Sequence, residues 1–176
     1  MAMTETYISI EDKLTEMFDT LPLMTNGIGG GATYKPIFGY GDEKELNAFL
    51  KMKEKGESPY PLIWLLYPYK ENQTKNHVEV SNIQFILAVK SNMPMQNFER
   101  MQVTFKAILI PLYNNISYLF KTANIVNVSG DYDVIKYPNY SYDAKGAETF
   151  GNLVWDAMKI EFDIKIKNTC FKAQIF

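Results

Sequence analysis

The residues with side chains suited to nucleophilic chemistry are few and lie far apart. His77 is the single histidine and Cys170 the single cysteine among 176 residues. A cysteine nucleophile needs a neighbouring base, most often an imidazole, and no motif joins these two residues. We therefore interpret Cys170 as a structural thiol and His77 as a solvent-exposed loop residue. A single cysteine also excludes a disulfide within the chain.

The segment from Gly27 to Ala32 formally matches the glycine pattern of dinucleotide-binding turns. Such a turn follows a strand and opens a helix, whose N-terminus holds the phosphates. Here a helical pattern and Pro22 come before the glycines, and the segment that follows contains Pro36. We therefore interpret these residues as a flexible hinge, and no cofactor site is predicted.

Asp131 and Asp133 follow a Ser-Gly pair with a spacing that could begin a calcium loop. The later acidic and glycine positions of such a loop are absent, so a turn rich in Asp and Gly is the better interpretation. The sequence therefore predicts no metal site and no catalytic residues, and we expect the protein not to be an enzyme. An enzyme with an unrecognised site would instead reveal an acidic cluster with strongly shifted pKa values in a cleft.

Charge and hydropathy patterns argue against several classes of partner. The net charge is −2 and the basic residues do not cluster, so no nucleic-acid-binding face is predicted. No apolar run approaches the roughly 18 residues of a membrane span, and residues 1–19 lack the pattern of a signal peptide. We expect a soluble protein made in a reducing cytoplasm. Its length fits one domain over residues 1–176.

Helical periodicity predicts three helices. The first covers residues 9–21 and has Ser9 as its N-cap, and a short second helix begins at Asp42, which forms a near capping box with Glu45. The longest helix spans about residues 97–120 and should bend at Pro111. Its predicted apolar face consists of Phe98, Met101, Phe105, Ile108, Leu109, Leu112, Ile116, Leu119 and Phe120.

Strand patterns occupy much of the remaining chain. Residues 60–67 form a continuous apolar run, typical of a strand buried on both faces, and residues 159–167 alternate without exception, as a half-buried strand does. Residues 69–79 are predicted to be a hairpin-like connection. Further strands are predicted at 80–89, 125–128 and 132–137, with a short edge strand from Tyr34 to Tyr40. The order indicates an α+β fold, with one mostly antiparallel sheet and the long helix packed on it.

Two extended loops are predicted, at about residues 26–41 and 131–150. The tyrosines of the second loop indicate either a covering loop packed on the sheet or an interaction arm, because Tyr offers a large contact area at low entropy cost. The residues predicted to contact other subunits are Tyr34, Phe38, Tyr40, Tyr132, Tyr137, Tyr140 and Tyr142.

Three segments carry a family resemblance. They are Tyr-Pro-Leu-Ile-Trp-Leu-Leu-Tyr-Pro at 60–68, the alternating strand at 82–89 and the long helix, which contains Ile-Pro-Leu-Tyr at 110–113. Together they resemble tail-terminator and tail-completion proteins of tailed bacteriophages, which form rings in the head-to-tail connector, or neck. The resemblance covers roughly residues 58–168. Frequent Asn, Lys, Ile, Tyr and Phe would suit a phage of an AT-rich gut bacterium, such as a crAss-like phage.

The resemblance implies a structural virion protein, made in the host cytoplasm and built into the neck or tail. Its partners would be further copies of itself, in a ring on the order of six or twelve subunits, together with portal or connector proteins and tail proteins. Genomic DNA would pass through the channel without specific binding, and no membrane or cofactor would be involved. The alternative is a soluble phage-encoded binding module that is not part of the virion.

Overall fold

The computed structural model describes residues 9–25, 33–53, 61–74, 77–92, 94–123, 126–140 and 153–167. A mostly antiparallel sheet with helices packed against it confirms the predicted α+β class. The glycine-rich hinge at 27–32, Tyr142 and Cys170 lie outside the described residues.

The helices begin where the capping patterns predict. They are α1 (Ile10–Phe18), α2 (Glu43–Lys53) and a long helix composed of α3 (Asn97–Arg100), a π-helical segment (Met101–Leu109) and α4 (Ile110–Thr122). Ser9 Oγ accepts a hydrogen bond from the Asp12 backbone N–H at 3.1 Å and so caps α1. At the start of α2, Glu45 N–H donates to Asp42 Oδ1 at 2.8 Å and Asp42 N–H donates to Glu45 Oε2 at 2.7 Å. Each cap satisfies backbone groups that the first turn leaves without partners.

The strands form one large and one small sheet. They are β1 (Met24–Thr25), β2 (Thr33–Tyr34), β3 (Ile37–Gly41), β4 (Leu62–Leu66), β5 (Lys70–Gln73), β6 (His77–Asn92), β7 (Val126–Tyr137) and β8 (Leu153–Lys167). β1 and β2 pair with each other, and the main sheet has the order β3-β4-β6-β8-β7, with β5 also paired to β6. β3 and β4 are parallel and the other pairs are antiparallel. β3 and β7 therefore lie at opposite edges of the main sheet.

The two faces of the main sheet carry different helices. α1 and α4 pack on one face, because Phe18 and Phe120 both contact Phe85 of β6, with ring centroids 5.9 and 6.3 Å apart. α2 packs on the opposite face, where Phe49 contacts Trp64 of β4 at 5.3 Å. We call these the α1 face and the α2 face.

A buried ion pair fastens the beginning of the long helix to the sheet. Arg100 Nη1 donates to Asp156 Oδ1 of β8 at 2.8 Å, and both side chains are fully buried. The same guanidinium donates to Ser91 Oγ at 2.8 Å and to the Met95 carbonyl at 2.9 Å. Thr104 Oγ1 lies 2.7 Å from Asp156 Oδ2. These hydrogen bonds offset the cost of removing two charges from water.

This ion pair explains an error in the predicted apolar face of the long helix. Phe98 was assigned to that face but is 74% exposed. The first helical turn instead buries Arg100 against Asp156, which leaves Phe98 on the outside. Farther along, Phe105, Ile108, Leu109, Leu112, Ile116 and Phe120 are buried as predicted.

The hydrogen-bond register of the long helix changes near Pro111. The Ile110 N–H still bonds to the carbonyl of Phe105, five residues earlier, which is the spacing of a π-helix. α-Helical spacing resumes at Ile110, so Pro111 falls in the first turn of α4, where its missing N–H is tolerated. The structure shows a change of helix type immediately before Pro111, and the bend there stays a prediction.

Parts of the segments predicted as loops are strands. The edge strand predicted from Tyr34 to Tyr40 is confirmed in part as β3, which lies at a sheet edge, and the strand predicted at 132–137 is the second half of β7. The loops predicted at 26–41 and 131–150 overlap these strands, so their bounds were too wide. The predicted connection at 69–79 contains β5 and the start of β6, which pair with each other. Tyr, Asn, Asp and Gly suggested turns here, but tertiary pairing overrides such local preferences.

The two short strands predicted at 125–128 and 132–137 are halves of β7. Their shared partner is β8, and the register shifts between Ser129 and Asp133. β7 advances four residues there while β8 advances two, from Asp163 to Glu161. Two additional residues therefore bulge from β7, and the Asp/Gly turn predicted at Asp131 and Asp133 is this bulge within a strand.

We expect Asp156→Ala to lower the free energy of unfolding by about 3–5 kcal/mol, because the buried Arg100 guanidinium loses its counter-charge. Urea titration followed by far-ultraviolet circular dichroism at neutral pH measures the loss. Asp19→Ala is the control, since it removes an exposed ion pair with Lys35 and should cost less than about 1 kcal/mol. Equal losses in the two variants would contradict the structural role of the buried pair.

Candidate functional site

His77 belongs to a surface hydrogen-bond network. It was predicted to be exposed in a loop, but it begins β6, where it pairs with Lys167, and its side chain is 24% exposed. Its Nε2 lies 3.0 Å from Glu79 Oε1, which also accepts from Lys165 Nζ at 2.6 Å. The hydrogen bond from Lys165 lowers the pKa of Glu79. Within the described ranges, no group of three His, Cys, Asp or Glu side chains could hold a metal ion.

The first candidate surface lies at the β3 edge of the main sheet, on the α1 face. Tyr67 and Tyr69 each donate a hydroxyl hydrogen bond to Glu11 Oε1 at 2.5 Å. The ring of Tyr40, which is 48% exposed, lies 6.0 Å from that of Tyr67 in a stacked arrangement. We call Glu11, Tyr40, Tyr67 and Tyr69 the tyrosine–glutamate cluster.

The protonation states of this cluster are set by its hydrogen bonds. Burial acts to raise the pKa of Glu11, but hydrogen bonds from Tyr67, Tyr69, the backbone and Ser9 together lower it below the usual 4.5. Burial, and next the hydrogen bonds to Glu11, raise the pKa of both phenols well above their usual range. Glu11 is therefore ionised and the phenols protonated near neutral pH. An anion bordered by aromatic rings suits a cationic partner.

Within the described part of the chain, the outer backbone edge of β3 is also unpaired. Ile37 N–H donates to the Pro61 carbonyl and the Gly41 carbonyl accepts from Tyr67 N–H, each at 3.0 Å. In a parallel pair, alternate residues direct their backbone groups to the same neighbour. Phe38 and Tyr40 therefore direct theirs away from β4, and no other strand of the described residues pairs on that side.

The second candidate surface is the β7 edge, at Asp133–Tyr137. Val134 and Ile135 are 37% and 45% exposed, and they lie on the α1 and α2 faces respectively, because their partners on β8 are Ile160 and Lys159. Lys136 is exposed on the α1 face. The bulge before Asp133 limits the regular part of this edge to five residues, the same length as β3.

A cleft of about 420 Å³ lies on the α2 face beside the β7 edge. Leu66, Ile86 and Lys159 contribute its sheet wall. On the β7 side it is lined by Tyr137 and Tyr140, whose rings meet edge to face at 5.4 Å. This volume lies in the range of small-molecule sites, although the lining of the cleft is more polar than apolar.

The turn beside the cleft is held by the buried ion pair. Asn139 has a left-handed φ of 58°, and its N–H donates to Asp156 Oδ1 at 3.1 Å. Tyr140 N–H donates to the Trp155 carbonyl at 2.6 Å. Asp156 thus orients the end of β7 as well as the start of the long helix.

The predicted interface residues fall in different places. Tyr40 is exposed at the β3 edge, and Tyr137 and Tyr140 line the cleft. Phe38 instead packs on Phe18 at 4.9 Å.

Two further members of that set also occupy distinct environments. Tyr132 packs between Tyr113 and Phe162, while Tyr34 is half-buried in the small sheet. The structure thus assigns Phe38 and Tyr132 a packing role, and contact of the set with other subunits stays a prediction.

Sequence reasoning missed several residues at the two edges. Tyr67 was assigned to the end of a buried strand and Tyr69 to a connection. Their clustering with Tyr40 depends on strand pairing that only the fold reveals. Val134 and Ile135 carried a usable signal, because two adjacent apolar residues in a strand point to opposite faces. Such a pair either lies in a strand that is buried on both faces or lies at a sheet edge.

No family model matches the chain, and no curated protein matches it. Among the helices of the described residues, none combines the length and apolar character needed to span a bilayer.

We expect Glu11→Gln to lower the free energy of unfolding at neutral pH. The difference in this free energy between the variant and the wild type should become smaller in acid. A carboxyl group whose folded pKa is depressed contributes stability above its unfolded pKa, near 4.5, and this contribution is lost as the pH falls through the folded pKa. Urea midpoints of both proteins, at neutral pH and well below pH 4.5, measure the trend. Asp12→Asn, exposed in the same turn of α1, is the control. A difference in urea midpoint that stays constant with pH would contradict the stabilising role of the ionised Glu11 carboxylate.

Proposed function

We propose that this protein is a structural subunit of an oligomeric ring at the neck or tail junction of a tailed bacteriophage, a tail terminator or connector. It would join the portal side of the particle to the tail. The proposal combines the resemblance of residues 58–168 to such proteins with the arrangement of exposed surfaces in the fold.

The observation that carries the proposal is the pair of dissimilar edges on one sheet. A cyclic ring needs heterologous contacts, in which one surface of each subunit binds a different surface of the next. The β3 edge, with Ile37 and Tyr40 exposed, lies at one end of the main sheet, and the β7 edge, with Val134 and Ile135 exposed, lies at the other. Open edges with exposed apolar side chains favour association, and monomeric proteins usually protect them.

The long helix offers a further surface for other virion proteins. Phe98 and Tyr118 are 74% and 70% exposed, at opposite ends of that helix. Aromatic side chains are enriched in protein interfaces. Contacts above and below a ring, to portal or tail proteins, could use such side chains.

The charge of the chain is compatible with a channel for DNA. Binding to DNA is driven largely by Lys and Arg, which displace counterions from the phosphates. The net charge is −2, which supports passage of genomic DNA without specific binding.

The cleft favours a second candidate, a phage-encoded binding module that is not part of the virion. Its lining of Tyr137, Tyr140 and Leu66 beside Glu43 and Lys159 could hold a small ligand or an extended peptide. A protein of this kind would be monomeric or dimeric and missing from purified particles.

We expect the purified protein to form one closed oligomer, detected as a single mass by native mass spectrometry, and to occur in purified particles at a fixed ratio to the portal protein. Tyr118→Glu should retain the oligomer, since Tyr118 lies on α4 and belongs to neither strand edge. Quantitative proteomics of particles and a cryo-EM map of the neck test the location. A monomer that is absent from particles would refute the ring and favour the binding module.

A further inference from the structure

We infer that neighbouring copies join edge to edge, with the β7 edge of one copy added antiparallel to β3 of the next, and with Lys136 reaching the neighbour's tyrosine–glutamate cluster. The main sheet would then continue across each subunit boundary. This inference rests on the proposed ring and specifies the contact that closes it.

Strand direction permits this pairing. β3 and β4 run parallel, and each of the three later steps, β4 to β6, β6 to β8 and β8 to β7, reverses direction. β7 therefore runs opposite to β3 within one subunit. A second copy displaced along the sheet presents its β7 antiparallel to β3 of the first. An antiparallel pair continues the pattern of the sheet with regular backbone hydrogen bonds.

The two edges also match in length. β3 has five residues, and the regular part of the β7 edge, from Asp133 to Tyr137, has five. β7 is limited by its bulge on one side and by Pro138, which cannot donate a backbone hydrogen bond, on the other. β3 is limited by Pro36 and by Gly41, whose φ of 146° departs from strand geometry.

The side chains match on each face. On the α1 face, β3 presents Phe38 and Tyr40, and β7 presents Val134 and Lys136; on the α2 face the corresponding apolar residues are Ile37 and Ile135. In the register that overlaps all five residues of both strands, Val134 lies opposite Tyr40 on the α1 face and Tyr137 lies opposite Ile37 on the α2 face, so apolar groups meet on both faces. Cross-strand neighbours of this kind lie about 4.5–5.5 Å apart between Cβ atoms.

Charge complementarity favours a cationic side chain of the neighbouring copy at the tyrosine–glutamate cluster. The negative charges that act on its phenols come from Glu11, Glu45 and Glu71. Lys136 is exposed on the same face as the cluster and lies at the opposite edge of the sheet. In the same register Lys136 lies opposite Phe38 and diagonal to Tyr40, so its long side chain reaches toward the tyrosine ring and the carboxylate, which both attract an ammonium group.

Mixing two variants tests the pairing. Ile37→Glu should block the β3 edge and Ile135→Glu the β7 edge, and each variant alone should be a folded monomer, as checked by circular dichroism and thermal melting. An equal mixture should give a heterodimer and nothing larger, because one intact edge of each partner remains. Native mass spectrometry with one isotope-labelled variant identifies this species. Tyr118→Glu, which changes neither edge, should keep the wild-type oligomer.

Other results would overturn the inference in distinguishable ways. If either single variant still forms the full oligomer, the edges are not the contact, although the ring proposal stands. If the two folded variants do not pair on mixing, the contact is not head to tail. A wild-type protein that is monomeric and absent from particles would overturn both this inference and the proposed function.

A charge reversal tests the part assigned to Lys136. Lys136→Glu should raise the concentration at which the oligomer half-dissociates by roughly two- to fivefold per contact, the range of partly exposed ion pairs. High salt should reduce this difference, because it screens exposed charges. Lys106→Glu, an exposed lysine of the π-helical segment, is the matched control. Equal effects of the two substitutions would show that Lys136 is not part of the contact.

Discussion

The buried pair of Arg100 and Asp156 links the parts of this molecule that local structure would leave independent. A guanidinium and a carboxylate are stable in the interior only when nearly all of their hydrogen-bonding groups are satisfied. Here the partners come from the end of β6, the first turns of the long helix and the turn after β7. The position of the helix on the sheet and the direction in which β7 ends are thus determined together.

The two faces of the main sheet differ in how completely helices cover them. α1 and α4 close the α1 face through a cluster of phenylalanine rings around Phe85. α2 covers the β3–β4 side of the other face, and the cleft lies beside it toward β7. The exposed apolar residues of the sheet are consequently concentrated at its edges.

Sequence patterns predicted the helices and the buried strands because those elements depend on local signals. Ser9, Asp42 and Glu45 are caps that act within one turn, and the alternation of residues 159–167 records one buried and one solvated face. Arg100 could not be assigned to the interior, since its partner Asp156 is distant in sequence and a buried arginine is rare without one. The error at Phe98 follows directly from this.

The edges were harder to predict than the core for a similar reason. Tyr40, Tyr67 and Tyr69 meet only after β3 has paired with β4, and Glu11 reaches them only after α1 has packed on the sheet. Tyr132 and Tyr137 have the same residue type and lie close in the sequence, yet one packs on Phe162 and the other lines the cleft. Residue type alone does not separate these environments, because a tyrosine suits both a core boundary and a wet surface.

The bulge of β7 absorbs additional chain length without turning the edge over. Ser129 and Asp133 pair with β8 residues two apart and lie on the same face, so the two additional residues leave Val134 and Lys136 on the sides that a plain strand would give them. β6 shows that one additional residue is accommodated equally well, because Val80 and Ile83 lie three residues apart and are both buried, opposite Ile164 and Phe162. The segment between Ser129 and Asp133 is therefore a place where the chain can lose or gain a residue while the edge that follows keeps its two faces.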